Sequence, residues 1–481
     1  MTTRTGFTNL LTNTDNYKHT QFFQYPPGTE YVSSYIESRG GAFPATLFFG
    51  LQAFLREYLS KPFTVEDIDE AEAIIRGTNV EFNRQIWLDL LEDHGGYLPI
   101  EIEAVPEGTV VPTRNVMLQV INTDPKYFWV PSFFETALLR AVWYPTSVAS
   151  LSWMLKKIIW NALERTSDNP DLAGHYLADF GARGVSSLES AALGGMAHLV
   201  NFDQSETVPA TVAAKKYYDA ATPAFSGVHM EHASISSWGP DGEAEQMRRM
   251  LDRKSPIVSL LTDTFNHENT VRNIVGVKLK EQVEEYPGLV GIRIDSGDVV
   301  QVTSDTVEWL MEAFGYEVNS KGFRVLPPYI RALQGDGLTI ESLRQVYDEL
   351  ERRGLSAENA LCGMGGGLLQ QINRDTFNFG QKANAICIDG KWKDIAKRPT
   401  GNLMKHSKAG RLALCKVDGD FKTVPRGQVS PEENLLVPVF RDGRILRTLA
   451  WGEVLENSNR EVPAYYYDEV LSKDRSTLEI G

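Results

Sequence analysis

The chain has 481 residues with 48 Lys and Arg against 63 Asp and Glu, a net charge of −15, which excludes a polyanionic partner held by general attraction but allows a local basic pocket for a phosphorylated small molecule. Hydrophobic content of 42% and charged content of 23% fit a soluble globular chain long enough for two domains or one elaborated barrel. The most apolar stretch, 130–160, is broken by Glu135, Arg140, Pro145, Lys156 and Lys157, so no membrane span is expected; the first residues lack an apolar signal region, so neither is export. Cys362, Cys387 and Cys415 are scattered and form no CxxC pair, which fits a reducing cytoplasm.

In chain order, a polar segment at 13–20 and an aromatic run through Phe22, Phe23 and Tyr25 precede a Pro26-Pro-Gly28 turn and a strand from Tyr31 to Glu37, ending at Arg39. Helical periodicity covers Ala45–Leu59, Val65–Ile75 and Phe82–Glu92, and alternation predicts strands at Leu98–Val105 and Val116–Ile121. Two helices separated near Pro145 then lead to a polar boundary at Thr166–Asp171.

Beyond it, strand-like runs end near Asp179, Asp203, His232, Asp263, Asp295, Asp336 and Gly363, at intervals of 24, 29, 31, 32, 41 and 27 residues. That is the spacing of successive βα units, and the strand ends carry polar or glycine-rich tips, where a (β/α) barrel places its chemistry. The fold expected is α/β: an irregular (β/α) barrel of seven to eight strands over 171–382, plus an α+β domain from 1–170 that the β-rich part, 383–481, completes. In that last part, Ala383–Ile388 reads as a strand, and Asp418-Gly419 and Asp442-Gly443 each sit between apolar runs as hairpin turns.

Three tips carry most of the chemistry. In Leu289–Asp298, Gly291, Arg293 and Asp295 share one face and Ile292 and Ile294 the other, followed by a Ser296-Gly-Asp298 turn and a helix from Val299 to Phe314. Gly365, Gly366 and Gly367 precede a helix, where backbone N–H groups can meet a phosphate. Phe180 and Arg183 pair a ring face with a guanidinium, able to stack a flat ring and hold an anion.

His229-Met-Glu-His232 reads as strand, with its two histidines on opposite faces, so zinc is a poor fit. His232 is a candidate nucleophile or base, oriented by Glu231 or Asp263. Asp263, Asp295, Asp298 and Asp336 could hold Mg²⁺, although loop aspartates also cap helices. The residues alone reach a soluble barrel enzyme acting on a phosphorylated, Mg²⁺-bound substrate.

The motifs Asp15-Asn-Tyr-Lys18, Gln24-Tyr-Pro-Pro27, Asp179-Phe-Gly-Ala-Arg-Gly-Val-Ser-Ser187, His198-Leu-Val-Asn-Phe202, Glu231-His-Ala-Ser234, Arg293-Ile-Asp-Ser-Gly297, Leu326-Pro-Pro-Tyr329, Gln334-Gly-Asp-Gly337 and Gly365-Gly-Gly-Leu-Leu-Gln370 together resemble the nicotinamide phosphoribosyltransferase family, in order from about residue 13 to 450. The resemblance implies transfer of a phosphoribosyl group from phosphoribosyl pyrophosphate to nicotinamide in NAD salvage, by a cytoplasmic homodimer with shared active sites and ATP as co-substrate.

By the same resemblance, Phe180 and Tyr17 of the partner subunit would sandwich the pyridine, Arg293 would bind the amide oxygen, and Asp295 the ribose. Gly365 and Gly366 would hold the 5′-phosphate. Arg39, Arg183, Arg374 and Lys382 would surround phosphate or pyrophosphate, and Asp336 would join the substrate contacts. His232 would be the phosphorylated histidine, with Asp263 as its carboxylate partner, Glu231 beside it, and Mg²⁺ near Asp263 and Asp295.

Two residues depart from the family pattern. Glu206 stands where the family has an aspartate that reads the amide NH₂, and Met364 replaces a small polar residue in the glycine loop. A carboxylate at 206 still repels a substrate carboxylate, favouring nicotinamide over nicotinate. Competing readings are nicotinate phosphoribosyltransferase and a non-catalytic ligand-binding barrel; a lyase or aldolase would need a Schiff-base lysine at a strand tip.

Overall fold

The computed structural model describes residues 8–401 and 406–471. Seven short parallel strands form the sheet that the regular spacing anticipates. Its order is Gln204–Ser205, Leu177–Asp179, Ala360–Met364, Ile330–Gln334, Leu289–Ile294, Ile257–Leu261 and Val228–His229. The sheet curls until its edges meet at a single bridge, Gln204 with Phe225, where the Phe225 N–H donates to the Asp203 carbonyl at 2.7 Å. Val290, Ile292 and Ile294 are fully buried, as the alternation requires, and helices such as Val299–Phe314 and Ile340–Arg352 cover the sheet.

A second, mainly antiparallel seven-stranded sheet draws on both halves of the chain, in the order Lys391–Asp394, Phe379–Ile388, Thr29–Ser38, Val116–Asn122, Ile100–Ala104, Val437–Arg441 and Arg444–Ile445. The chain enters this sheet at Phe379, ahead of residue 383. Both hairpins form as expected, with φ of 53° at Asp418 and 47° at Asp442, each followed by a glycine of positive φ.

Three expectations fail for physical reasons. Ala45–Leu47 pairs as a strand with Val110–Pro112, and helix starts only at Leu51; this short apolar segment suits a buried strand as well as a helix. Pro145 does not divide two helices: Glu135–Thr166 is one 32-residue helix, buried on both sides of the proline at Val142 and from Val148 to Leu155. An interior proline costs about 3 kcal/mol, and each large apolar side chain buried there returns roughly 1.5–3 kcal/mol. The strand expected to end at His232 ends at His229, and His232 opens a helical stretch, His232–Leu251, that is broken into two helices at Gly239 (φ 69°), so the two histidines do not lie on opposite faces of one strand.

Among the described residues no helix is long and apolar enough to cross a membrane.

Candidate active site

At the C-terminal ends of the parallel strands, side chains from four of them interlock. Arg293 donates from Nε to Asp295 Oδ1 at 2.8 Å and from Nη2 to Asp295 Oδ2 at 2.6 Å, a forked pair set up by the alternation of the strand. The guanidinium lies 5.3 Å from the centre of the Phe180 ring. Two glycines make room: a Cβ on Gly363 would come within 2.3 Å of Phe180, and one on Gly335 within 2.2 Å of Asp295. Below them, buried Asp179 braces the Phe180 turn, accepting from Gly181 N–H at 2.7 Å and from Ser205 Oγ at 3.0 Å.

Glu206 reaches this platform through His229. Its carboxylate accepts from Ser226 Oγ and lies 3.1 Å from His229 Nε2, while the His229 ring meets Phe180 edge-on at 5.7 Å. Burial pushes the Glu206 carboxyl up, but the hydrogen bonds from His229 and Ser226 and the charge of Arg293 outweigh it, so the net shift is downward and the group is anionic.

His232 Nδ1 lies 3.0 Å from Thr264 Oγ1, and its Nε2 lies 3.9 Å from Asp263 Oδ1 and 3.7 Å from Asp295 Oδ2. The imidazole is 48% exposed, whereas the Asp263 side chain is only 3% exposed. Asp263 Oδ2 accepts from Ser296 Oγ and Asp295 N–H, and its Oδ1 is buried and, among the described residues, has no hydrogen-bond partner. A free buried carboxylate oxygen is the kind of ligand Mg²⁺ takes together with substrate phosphate. Among the described residues, no three His, Cys, Asp or Glu side chains enclose an ion.

Asp298 caps the helix Val299–Phe314, accepting from Val300 and Gln301 N–H. Asp336 and Glu231 are exposed, and the backbone carbonyl of Glu231 accepts from Ser234 Oγ. Arg183 is exposed in the turn Ala182–Gly184, whose Gly184 packs against Gly366; the loop at Gly365 and Gly366 leads into the short helix Gly366–Leu369. Met364 is buried, so its side chain belongs to the packing beneath that loop.

A second group lies on the antiparallel sheet. Burial lowers the pKa of Lys382, and the neighbouring charges of Arg39, Lys397 and Arg374 lower it further. Glu135, the carboxylate that opposes this, is already paired with Lys18 at 2.6 Å. Tyr17 is 59% exposed on the turn Asn16–Phe23. Among the described residues, no hydrogen bond, ion pair or ring contact joins this group to the barrel cluster.

Sequence comparison agrees with the geometry. The model of the nicotinate phosphoribosyltransferase family matches residues 175–441, and that of the nicotinamide phosphoribosyltransferase N-terminal domain matches 9–102. The chain belongs to the nicotinate phosphoribosyltransferase family.

Two curated relatives are named nicotinamide phosphoribosyltransferase. That of Xanthomonas campestris is 44% identical over 91% of this chain and 96% of its own length, and that of Acinetobacter baylyi 28% identical over 95% and 98%. The fold matches a crystal structure of nicotinate-nucleotide pyrophosphorylase from Pyrococcus furiosus with a TM-score of 0.62 at 17% identity, covering 97% of this chain and 98% of that one. It also matches human nicotinic acid phosphoribosyltransferase with a TM-score of 0.58 at 16% identity, covering 94% and 95%.

Within this family frame, the sequence had assigned no role to Ser226, Thr264 or Lys397, had raised His229 only as a poorly placed zinc ligand, and had shown Ser296 only as part of a turn. Only His229 carried a signal: a histidine at a strand end, three residues before another. The rest are single polar residues brought in by the fold.

Proposed function

We propose that the protein transfers the phosphoribosyl group of phosphoribosyl pyrophosphate to nicotinamide, giving nicotinamide mononucleotide and pyrophosphate in NAD salvage. The observation that carries this reading is one anion, Glu206, and one cation, Arg293, gathered around Phe180, Arg293 directly over its ring and Glu206 through His229. An amide offers both an NH₂ for Glu206 and a carbonyl for Arg293, whereas a carboxylate would set two anions together.

Phe180 holds the ring in line with the ribose C1, and Asp295 contacts the ribose. Arg183 and the Gly365–Gly366 loop receive the 5′-phosphate, and Asp336 lies at the rim. Asp263, with Asp295 beside it, would hold Mg²⁺, which would supply charge neutralisation for the departing pyrophosphate. Tyr17, Arg39, Arg374 and Lys382 would serve a site in a homodimer, Tyr17 and some of the cations acting from across the subunit interface; that none of them, among the described residues, is bonded to the barrel-tip cluster of its own chain supports this.

His232, with Asp263 and Asp295 near its Nε2 and Thr264 at its Nδ1, is the group to be phosphorylated when ATP stimulates the transfer, with Glu231 next to it. The test is pyrophosphate release by purified protein with Mg²⁺ and phosphoribosyl pyrophosphate, with each pyridine, with and without ATP. Consumption of nicotinate with nicotinamide untouched overturns the reading. Glu206→Ser is expected to lower the preference for nicotinamide; unchanged selectivity removes Glu206 from the recognition.

A further inference from the structure

The segment that closes the barrel, 225–230, does more than join two sheet edges. Phe225 bridges Gln204, Ser226 reaches Glu206, His229 reaches both Glu206 and Phe180, and the Met230 carbonyl accepts from Arg293 Nη1 at 3.4 Å. One short stretch of backbone thus touches each of the three groups that face the ring.

Within it, His229 and Ser226 are not equivalent. A serine hydroxyl has one proton and lies 2.7 Å from one Glu206 oxygen and 2.9 Å from the other, so it can satisfy only one of them at a time and does not choose between them. The imidazole is fixed. Its strand is registered on Ile257–Leu261 with His229 opposite Ser259, and its ring edge is set against Phe180 at 85°. An ionised Glu206 accepts only, so the 3.1 Å contact requires the proton on Nε2. Its Nδ1 is buried and, among the described residues, has no hydrogen-bond partner, and the same holds for the Ser259 hydroxyl on the same face of the sheet.

We propose that His229 is the positioning residue that ties the Glu206 carboxylate to the Phe180 platform and so sets the preference for an amide over a carboxylate on the pyridine. The proposal rests on the nicotinamide reading given above. The Nε2–H bond from His229 holds the Glu206 carboxylate apart from Arg293, so one wall of the pocket accepts and the other donates. Without the Nε2–H bond, Glu206 is free to move towards Arg293; the two charges then compensate each other, and both recognition of the NH₂ and rejection of a carboxylate weaken.

Three variants separate the hydrogen bond from the packing. His229→Phe keeps a flat ring but has no N–H, His229→Gln keeps an N–H donor without the aromatic ring, and His229→Ala has neither. Pyrophosphate release is measured with nicotinamide and with nicotinate, alongside the melting temperature. One charge-assisted hydrogen bond corresponds to about a tenfold change, so the ratio of kcat/KM for the two pyridines is expected to fall about tenfold in His229→Phe and His229→Ala. The fall should come through KM for nicotinamide, with kcat within about twofold of the parent, and His229→Gln should recover most of the ratio. If His229→Phe keeps the parental ratio, or if all three variants lose it equally along with their melting temperature, the proposal is overturned and His229 is packing only. A parent protein that does not favour nicotinamide overturns the functional reading and this inference together.

Discussion

The barrel tip and the basic patch on the antiparallel sheet are built on opposite principles. At the tip, charges are matched: Arg293 is forked onto Asp295, Glu206 is held by Ser226 and His229, and Asp263 is capped by Ser296. On the patch, Lys382 is crowded by Arg39, Arg374 and Lys397, and the nearby carboxylate, Glu135, is committed to Lys18. The first arrangement is pre-organised to orient a neutral ring without rearranging. The second gathers cations ahead of the carboxylates beside them, with Arg374 paired to Asp375 at 2.9 Å, which suits the anion-binding role proposed for it.

The largest effect that would break this contrast is at Arg293. Arg293→Ala strands Asp295 at the edge of the core and removes the cation from Phe180; breaking such a pair costs about 3–5 kcal/mol, so kcat/KM is expected to fall by at least about a hundredfold. Activity within a few-fold of the parent would show that the tip is not the site.

Next in size is a pH effect beside the patch. His19 is buried between Phe82 and Phe133 with neither ring nitrogen bonded among the described residues, and burial lowers its pKa to about 4. The unfolded histidine takes up its proton near pH 6.5 and the folded one only near 4. This contribution to stability is therefore fully present above about pH 6.5 and is lost as pH falls towards 4, by up to about 3 kcal/mol. Denaturant melts at pH 7 and pH 4.5 check it: His19→Phe should lose less stability on acidification than the parent, and an equal loss would refute the assignment.

Lys382→Met sharpens the contrast itself. Removing a partly buried, crowded cation is expected to raise KM for phosphoribosyl pyrophosphate about tenfold, while thermal stability rises slightly, by about 1 kcal/mol or less. A fall in stability would mean that the patch is already satisfied within one chain. The smallest effect is at Asp298, a helix cap: Asp298→Ala should cost about 1 kcal/mol of stability in a thermal melt and leave kcat/KM within about twofold. A large loss of activity would return Asp298 to the candidate metal ligands.

Much of the barrel was legible because its repeat is a physical one: apolar strands of similar length, each released at a polar tip about thirty residues after the last. Arg293 and Asp295 could be read because their spacing fixes the face they share, and Phe180 because it stands at the tip of another strand. What could not be read was set by long-range contact. Pro145 reads locally as a break, and only burial on both sides keeps that helix whole; Ala45–Leu47 is a strand only because Val110–Pro112 lies beside it. His229 remained hidden because its role depends on Glu206 and Phe180, which reach it through the curl of the sheet rather than through the sequence.

The unbroken helix Glu135–Thr166 begins at the ion pair with Lys18, passes the glycine loop where Tyr144 donates to the Leu369 carbonyl, and ends where Arg165 pairs with Glu351 on a helix that covers the barrel. At about 1.5 Å per residue it is a rod roughly 48 Å long. Both sheets are fastened along it, so neither can loosen without disturbing the same beam, and heating should melt the chain in one concerted transition rather than in two stages.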